Sequence, residues 1–198
     1  MSNNQNVETK VVTGPVRLSY AHVWEANAMN AGDKPKYSAS LIIPKSDTTT
    51  LNKIKKAVQA AKEIGKGSKF GGKIPPVMKE PLRDGDEERP EDEAYKGSYF
   101  INANSATRPG IVDLALNPIM DQEDVYSGCY ARVSINFYAF NTNGNKGIAC
   151  GLNNIQKVRD GEPLGGRASA ENDFDDDFDD DFSEGFSYEE DDSLDFLG

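Results

Sequence analysis

The chain has 198 residues, 28% of them charged, with a formal net charge of −11. That length supports one domain with a hydrophobic core, or one domain and a tail. It contains no run of roughly 18 apolar residues, so no transmembrane helix is expected. Residues 1–10 are polar and lack the apolar stretch of a signal peptide, which favours a cytoplasmic setting. Two cysteines, Cys129 and Cys150, and one histidine, His22, are too few for a disulfide framework or a Cys/His metal site.

The negative average hides a segregation of charge. Residues 168–198 hold 14 Asp and Glu and no Lys or Arg, leaving 19 acids and all 22 bases in 1–167. The body is therefore weakly basic, and the tail strongly acidic. Within the body, residues 84–93 concentrate seven acids around Arg89.

In chain order, residues 10–24 read as β-structure, with a Gly14-Pro15 break between Val11-Val12-Thr13 and Val16-Arg17-Leu18-Ser19-Tyr20. Residues 28–35 read as a loop. Residues 36–43 alternate, with Tyr37, Ala39, Leu41 and Ile43 on one face, and Pro44 ends the strand. Asp47 has the character of a helix N-cap. Leu51, Ile54, Val58 and Ala61 follow at helical spacing, Lys53, Lys56 and Lys62 take the other face, and Gly65 suits the C-terminal cap. Residues 65–97 look irregular, a length that marks a functional or mobile loop. Strands resume at 98–104 and 111–116. The clearest β signal comes last, where 128–140 and 147–158 flank a connection centred near Asn143-Gly144. That register sets Cys150 near Tyr138 and far from Cys129, so both cysteines are expected as small core residues. Residues 160–166 read as a linker. Beyond it, Phe174, Phe178, Phe182 and Phe186 recur among acids too dense for an isolated helix, and disorder is expected.

Strand parity singles out one surface. In 128–140 the odd positions Cys129, Ala131, Val133, Ile135, Phe137 and Ala139 form a core face. The even positions are Tyr130, Arg132, Ser134, Asn136, Tyr138 and Phe140. Aromatics interleaved with a guanidinium and amides make a stacking platform for unpaired bases, with cations for phosphate. The plainer reading is a second hydrophobic layer or packing beneath the long loop. Phe100, Asn102 and Asn104 repeat the pattern weakly, and Arg108 follows in a loop suited to phosphate. Lys66, Lys69, Phe70 and Lys73 form a basic, Gly-rich loop with one aromatic, and Lys36 begins a strand; solvated lysines explain these equally well. Trp24 is expected to be partly core.

The tail repels phosphate and so is not a nucleic-acid surface, but it is suited to compete for a basic groove as an internal phosphate mimic. Phe174, Phe178, Phe182, Asp195 and Phe196 suit a partner's basic-rimmed pocket; the alternative is a tail that merely solubilises. Catalysis is poorly supported: one histidine gives little to build a triad on, and Gly65-Lys66-Gly67-Ser68 lacks phosphate-loop spacing. Asp84, Asp86 and Glu87 are the one cluster that suggests a Mg²⁺-dependent nuclease, although a solvated turn accounts for them. No enzyme, metal or cofactor is expected.

Four segments carry a more specific likeness. Residues 19–24 (SYAHVW), 36–44 (KYSASLIIP), 96–103 (KGSYFINA) and 134–141 (SINFYAFN), together with 147–155 (GIACGLNNI), resemble a family of phage and prophage single-stranded-DNA-binding proteins, formerly a domain of unknown function. The resemblance covers roughly residues 10–167. It implies an OB barrel, a part in phage replication or recombination, and an acidic tail ending near an aromatic, here Phe196. The site residues rest on parity and chemistry instead.

The resulting expectation is a mainly all-β chain: a flexible 1–9, an OB-fold-like five-stranded barrel with one helix over 10–160, and a linker with a disordered acidic tail over 161–198. It would bind single-stranded DNA with little sequence preference through Lys36, Lys69, Phe70, Lys73, Phe100, Asn102, Arg108, Tyr130, Arg132, Tyr138 and Phe140. Its tail would recruit replication or recombination proteins, and a homodimer or cooperative assembly on DNA is compatible with it. The competing expectation is an acidic DNA mimic that inhibits or chaperones a nucleic-acid enzyme.

Overall fold

A computed structural model describes residues 8–165. The tail positions Phe174, Phe178, Phe182, Asp195 and Phe196 lie outside the described residues, as do residues 1–7. The described residues form eight strands: β1 (Lys10–Val12), β2 (Val16–Asn27), β3 (Lys36–Pro44), β4 (Arg83–Asp84), β5 (Ser98–Ser105), β6 (Gly110–Val112), β7 (Tyr130–Thr142) and β8 (Asn145–Arg159). The long helix α1 (Thr48–Ser68) and a single helical turn, α2 (Gly85–Glu88), accompany them.

The strands pair in the order β1-β7-β2-β3-β5-β8-β6, and β7 also pairs with β8. That second pairing closes β2, β3, β5, β8 and β7 into a five-stranded barrel, antiparallel except for β5–β8. This is the partly open Greek-key barrel of the OB fold. Closure is incomplete beside the β7–β8 turn. Strands β5 and β8 pair only at Ala103↔Cys150 and Asn104↔Gly151. Nearer the turn, Lys79 bridges to Gly147 and Arg83 and Asp84 pair with Phe100 and Tyr99, so residues 79–84 fill the gap.

The hairpin forms where its sequence places it. Asn143 (φ 52°) and Gly144 (φ 86°) both take positive φ, as the two central residues of a type I′ turn must. Register runs from Thr142↔Asn145 to Tyr130↔Arg159, with Phe137 opposite Cys150. Cys129, Ala131, Val133, Ile135 and Phe137 are all buried, so odd parity in β7 is the core face. Both cysteines are free and buried, and burial raises both thiols above their usual range.

Helix α1 packs its Leu51, Ile54, Ala57, Val58 and Ala61 face into the same core. Its N-cap is Asp47, whose carboxylate accepts from Thr50 N at 3.1 Å. Gly65, expected as the cap, lies inside the helix instead, which continues to Ser68. Its lack of a side chain serves contact: a Cβ there would sit 2.4 Å from the Ala139 Cβ. Elsewhere the pattern needs two corrections. Strand β2 runs to Asn27, past a register shift between Ser19 and His22 where Tyr20 takes φ 46°. In β3 both faces are covered from Ala39 to Ile43, because a second small cluster of Ile42, Tyr95 and Phe100 lies outside the barrel.

Residues 160–164 fold back on the barrel. Leu164 N donates to Ser127 O at 2.8 Å, and Arg17 Nη2 donates to Glu162 O at 2.6 Å.

Candidate nucleic-acid interface

Even parity in β7 is the outer face of the barrel. Cross-strand partners share that face, so Arg132 lies with Gln156, Ser134 with Asn154, Asn136 with Gly151, Tyr138 with Ala149 and Phe140 with Gly147. On the other side β1 contributes Lys10 beside Asn136 and Val12 beside Ser134. Small residues on β8 let the β7 side chains lie across them. A Cβ on Gly151 would fall 2.7 Å from Asn136 Oδ1, and one on Gly147 would fall 2.9 Å from the Phe140 ring. Tyr138 is 43% exposed, and its partial burial raises the phenol above its usual range.

The electrostatics of this face are one-sided. By register Lys10, Arg132 and Arg159 share this face, and strands β1, β7 and β8 contain no Asp or Glu. Arg132 Nε donates to Thr13 O at 3.2 Å, which steadies an exposed guanidinium. Tyr130 is flanked by two cations: Arg159 stands 3.9 Å and Arg17 5.8 Å from its ring centroid. Lys157 is committed to Asp160 at 2.6 Å, and that hydrogen bond holds the Asp160 carboxyl below its usual range. The result is an outer strip of rings, amides and cations with no carboxylate on its three strands, suited chemically to a polyanion carrying planar groups.

The expected site residues divide between the two ends of the barrel. At the turn end of β7–β8 lie Tyr138, Phe140, Lys69 and Lys73, where Asn141 Nδ2 donates to Lys69 O at 3.1 Å. At the far end lie Tyr130, Arg132, Lys36 and Arg108. Tyr130 and Tyr138 are eight positions apart, a span of roughly 27 Å along a strand, so they do not form one compact pocket. Asn102 is exposed on β5, between Ser40 of β3 and the β8 edge. Arg108 is exposed and stands 5.2 Å from the Trp24 ring, whose Nε1 donates to Val125 O at 2.9 Å.

Two expected base-stacking rings are placed differently. Phe70 is 4% exposed and belongs to the core, against Gly65, because the loop after α1 turns inward to close the barrel end. Phe100 is fully buried beneath Tyr95, Arg83 and Arg89. The acids of 84–93 serve local structure. Asp84 and Asp92 cap short helical turns, and Lys45 pairs with Asp84 and Asp86. Hydrogen bonding to Lys45 holds Asp86 below its usual range, so this contact persists above that range and is lost as pH falls through the lowered value.

Sequence reading missed Arg159, Arg17 and Lys10. Arg159 was within reach of the hairpin register, which sets it opposite Tyr130. Arg17 was not, because its contact with Tyr130 spans more than a hundred residues.

Comparison with known proteins decides the family. A family model described as Enterobacter phage Enc34, ssDNA-binding protein, matches residues 9–183. The chain belongs to the Enc34 family of phage single-stranded-DNA-binding proteins. A relative, protein p50 of Acyrthosiphon pisum secondary endosymbiont phage 1, is 32% identical over 179 residues, spanning 84% of this chain and 93% of that protein. The solved single-stranded DNA-binding protein of bacteriophage Enc34 in complex with ssDNA is similar at TM-score 0.70 and 27% identity, over 79% of this chain and 90% of that one. The gp2.5 single-stranded DNA-binding protein of bacteriophage T7 shares the fold at TM-score 0.59 and 13% identity, over 82% and 98% of the two chains.

Proposed function

We propose that this chain is a binding module for single-stranded DNA, largely indifferent to sequence, acting in phage replication or recombination. The observation that carries this reading is the outer face of β7 and β8, with three rings, their cations and no carboxylate on the strands. Stacking on Tyr130, Tyr138 and Phe140 is available to any base, whereas paired bases present no free π-face. The Enc34 relative that was solved with ssDNA supports the same reading. No helix among the described residues is long and apolar enough to cross a membrane, and we place the activity in the host cytoplasm.

The acidic residues 168–198 are proposed to compete with DNA for the basic face at high local concentration, and to recruit partner proteins through their phenylalanines. Affinity for an oligonucleotide, measured across a salt series for the full chain and for a chain ending at Arg167, tests both parts. The full chain should lose about 0.7 log units of affinity per phosphate contact for each tenfold rise in salt. The truncated chain should bind more tightly at every salt concentration. A truncated chain that binds nothing even at low salt would overturn single-strand binding and favour the DNA-mimic reading, in which the tail itself is the active part.

A further inference from the structure

Residues 83–93 carry seven acids and two arginines, and they lie on the outer face of β3 and β5. There Ile42, Tyr95 and Phe100 form an apolar cluster outside the barrel, onto which Leu164 also packs. Tyr95 and Phe100 meet edge to face at 5.1 Å, and the Tyr95 hydroxyl donates to Ser40 Oγ at 3.0 Å. Arg83 and Arg89 each stand 5.1 Å from the Phe100 centroid. Arg89 is also 5.1 Å from the Tyr95 ring centroid and 5.5 Å from that of Tyr20, a residue 57% exposed.

Cations that could meet phosphate on this face are already engaged. Lys45 is 2.9 Å from Asp84 and 2.8 Å from Asp86, and Arg83 is 2.8 Å from Glu88. Strands β3 and β5 are the second and third strands of the barrel, and in OB folds that face ordinarily takes oligonucleotides. What covers it here is a planar guanidinium over aromatic rings, with carboxylates set against lysine and arginine. A nucleotide offers the same two elements, a plane to stack and an anion to pair.

We propose that residues 85–93 occupy the β3–β5 face as an internal stand-in for a single strand, and that a long strand displaces them, with β4 kept in place, to reach Lys45, Arg83, Tyr95 and Phe100. This second binding surface rests on the single-strand reading above. Three observations make the cover displaceable. Only Arg83 and Asp84 pair with β5. Arg89 Nε is buried without a hydrogen-bond partner, which is unfavourable for a charged group. A shallow groove of about 630 Å³ lies between Tyr20 and the segment's Glu88, Arg89, Glu91, Asp92 and Glu93. Beyond β4 the anchors are side-chain contacts outside the barrel core, the kind of unit that opens below the global unfolding free energy.

The test uses the full chain and two double variants. Asp86→Asn with Glu88→Gln keeps one acceptor oxygen on each side chain, removes the charge that holds Arg83, and leaves Lys45 with Asp84 alone. Glu63→Gln with Glu123→Gln makes the same charge change elsewhere on the surface. With a long oligothymidylate, the first variant should bind several-fold more tightly than wild type. Its salt slope should steepen by about 0.7, for Arg83 alone, because Asp84 still holds Lys45. The second variant should match wild type. Equal slopes in the first variant and wild type, or an equal gain in the second variant, would overturn the proposal while leaving wild-type DNA binding intact. A wild-type chain that binds no oligonucleotide would instead defeat the single-strand reading itself. Hydrogen exchange of wild type gives an answer independent of variant folding. The amides of Arg89, Asp92, Tyr95 and Gly97, all hydrogen-bonded within the segment and its flank, should lose protection when the long strand saturates the protein. Unchanged or increased protection would contradict displacement.

Discussion

Tyr138→Ala should weaken binding of a single-stranded oligonucleotide by about 1–3 kcal/mol, the range measured for one base–aromatic stack. Tyr138 stands on the outer face of β7 beside Ala149, a neighbour too small to cover it, and 43% of its surface is exposed. Thermal stability should therefore change little. Tyr138→Phe keeps the ring and should bind within about 0.5 kcal/mol of wild type if stacking rather than the hydroxyl supplies the contact. Phe140→Ala should show a mixed effect, because its ring also lies across Gly147. Its loss of affinity should be similar, with a measurable drop in melting temperature. Fluorescence anisotropy and a thermal melt on the same samples separate the two components. Unaltered affinity in Tyr138→Ala with an intact fold would remove this face from the binding surface.

Gly65→Ala should destabilise the domain, against the ordinary preference of helices. In an exposed helix interior this change gains about 1 kcal/mol through propensity. Here the new methyl would sit 2.4 Å from the Ala139 Cβ and 2.9 Å from Phe70 Cε2, far inside the 3.5–4.0 Å optimum for carbon pairs. The Ala139 Cβ is fixed to the backbone of β7 and cannot rotate away. Helix or hairpin must move, which costs about 1–3 kcal/mol in a packed core and here falls toward the upper end. The net expectation is a loss of about 2 kcal/mol, read as a melting temperature lower by about 4–8 °C for a chain of this size. A stabilised variant would show that α1 is not seated against the hairpin as described.

How much of this was legible in the sequence follows from the range over which each signal acts. The hairpin was readable almost residue by residue, because Asn143-Gly144 fixes the turn and strict alternation fixes the faces. Helix α1 was readable from Asp47 and its apolar spacing, but its end was not. Gly65 looks the same in sequence whether it ends a helix or lets one approach a strand, and only the contact with Ala139 distinguishes the two. Phe70 and Phe100 were misplaced for a related reason. Parity says which side of a strand a ring takes, and a polar neighbourhood suggests exposure, but neither reveals that a distant segment folds over it. The cover on Phe100 comes from Arg83, Arg89 and Tyr95, residues that in sequence look like part of an irregular acidic loop. The cations that flank Tyr130 divide likewise: Arg159 is a register partner and readable, while Arg17 depends on the barrel closing.

The charge distribution sharpens the functional picture in the same way. The whole-chain value of −11 points away from nucleic acid, yet on the outer face of β1, β7 and β8 stand Lys10, Arg132 and Arg159, and those strands hold no carboxylate. Within 8–165 the acids gather instead at 84–93, over the neighbouring β3–β5 face. One outer face is thus open to a polyanion and the adjacent one is closed by carboxylates.

Photocrosslinking tests most directly whether DNA lies along the outer face of β7 and β8. An oligonucleotide carrying 5-iododeoxyuridine at successive positions is irradiated in complex with the full chain, and the attached peptides are mapped by mass spectrometry. Crosslinks should fall on Tyr138 and Phe140 near the turn and on Tyr130 at the far end. Crosslinks confined to the lysine face of α1, with none on β7, would contradict it.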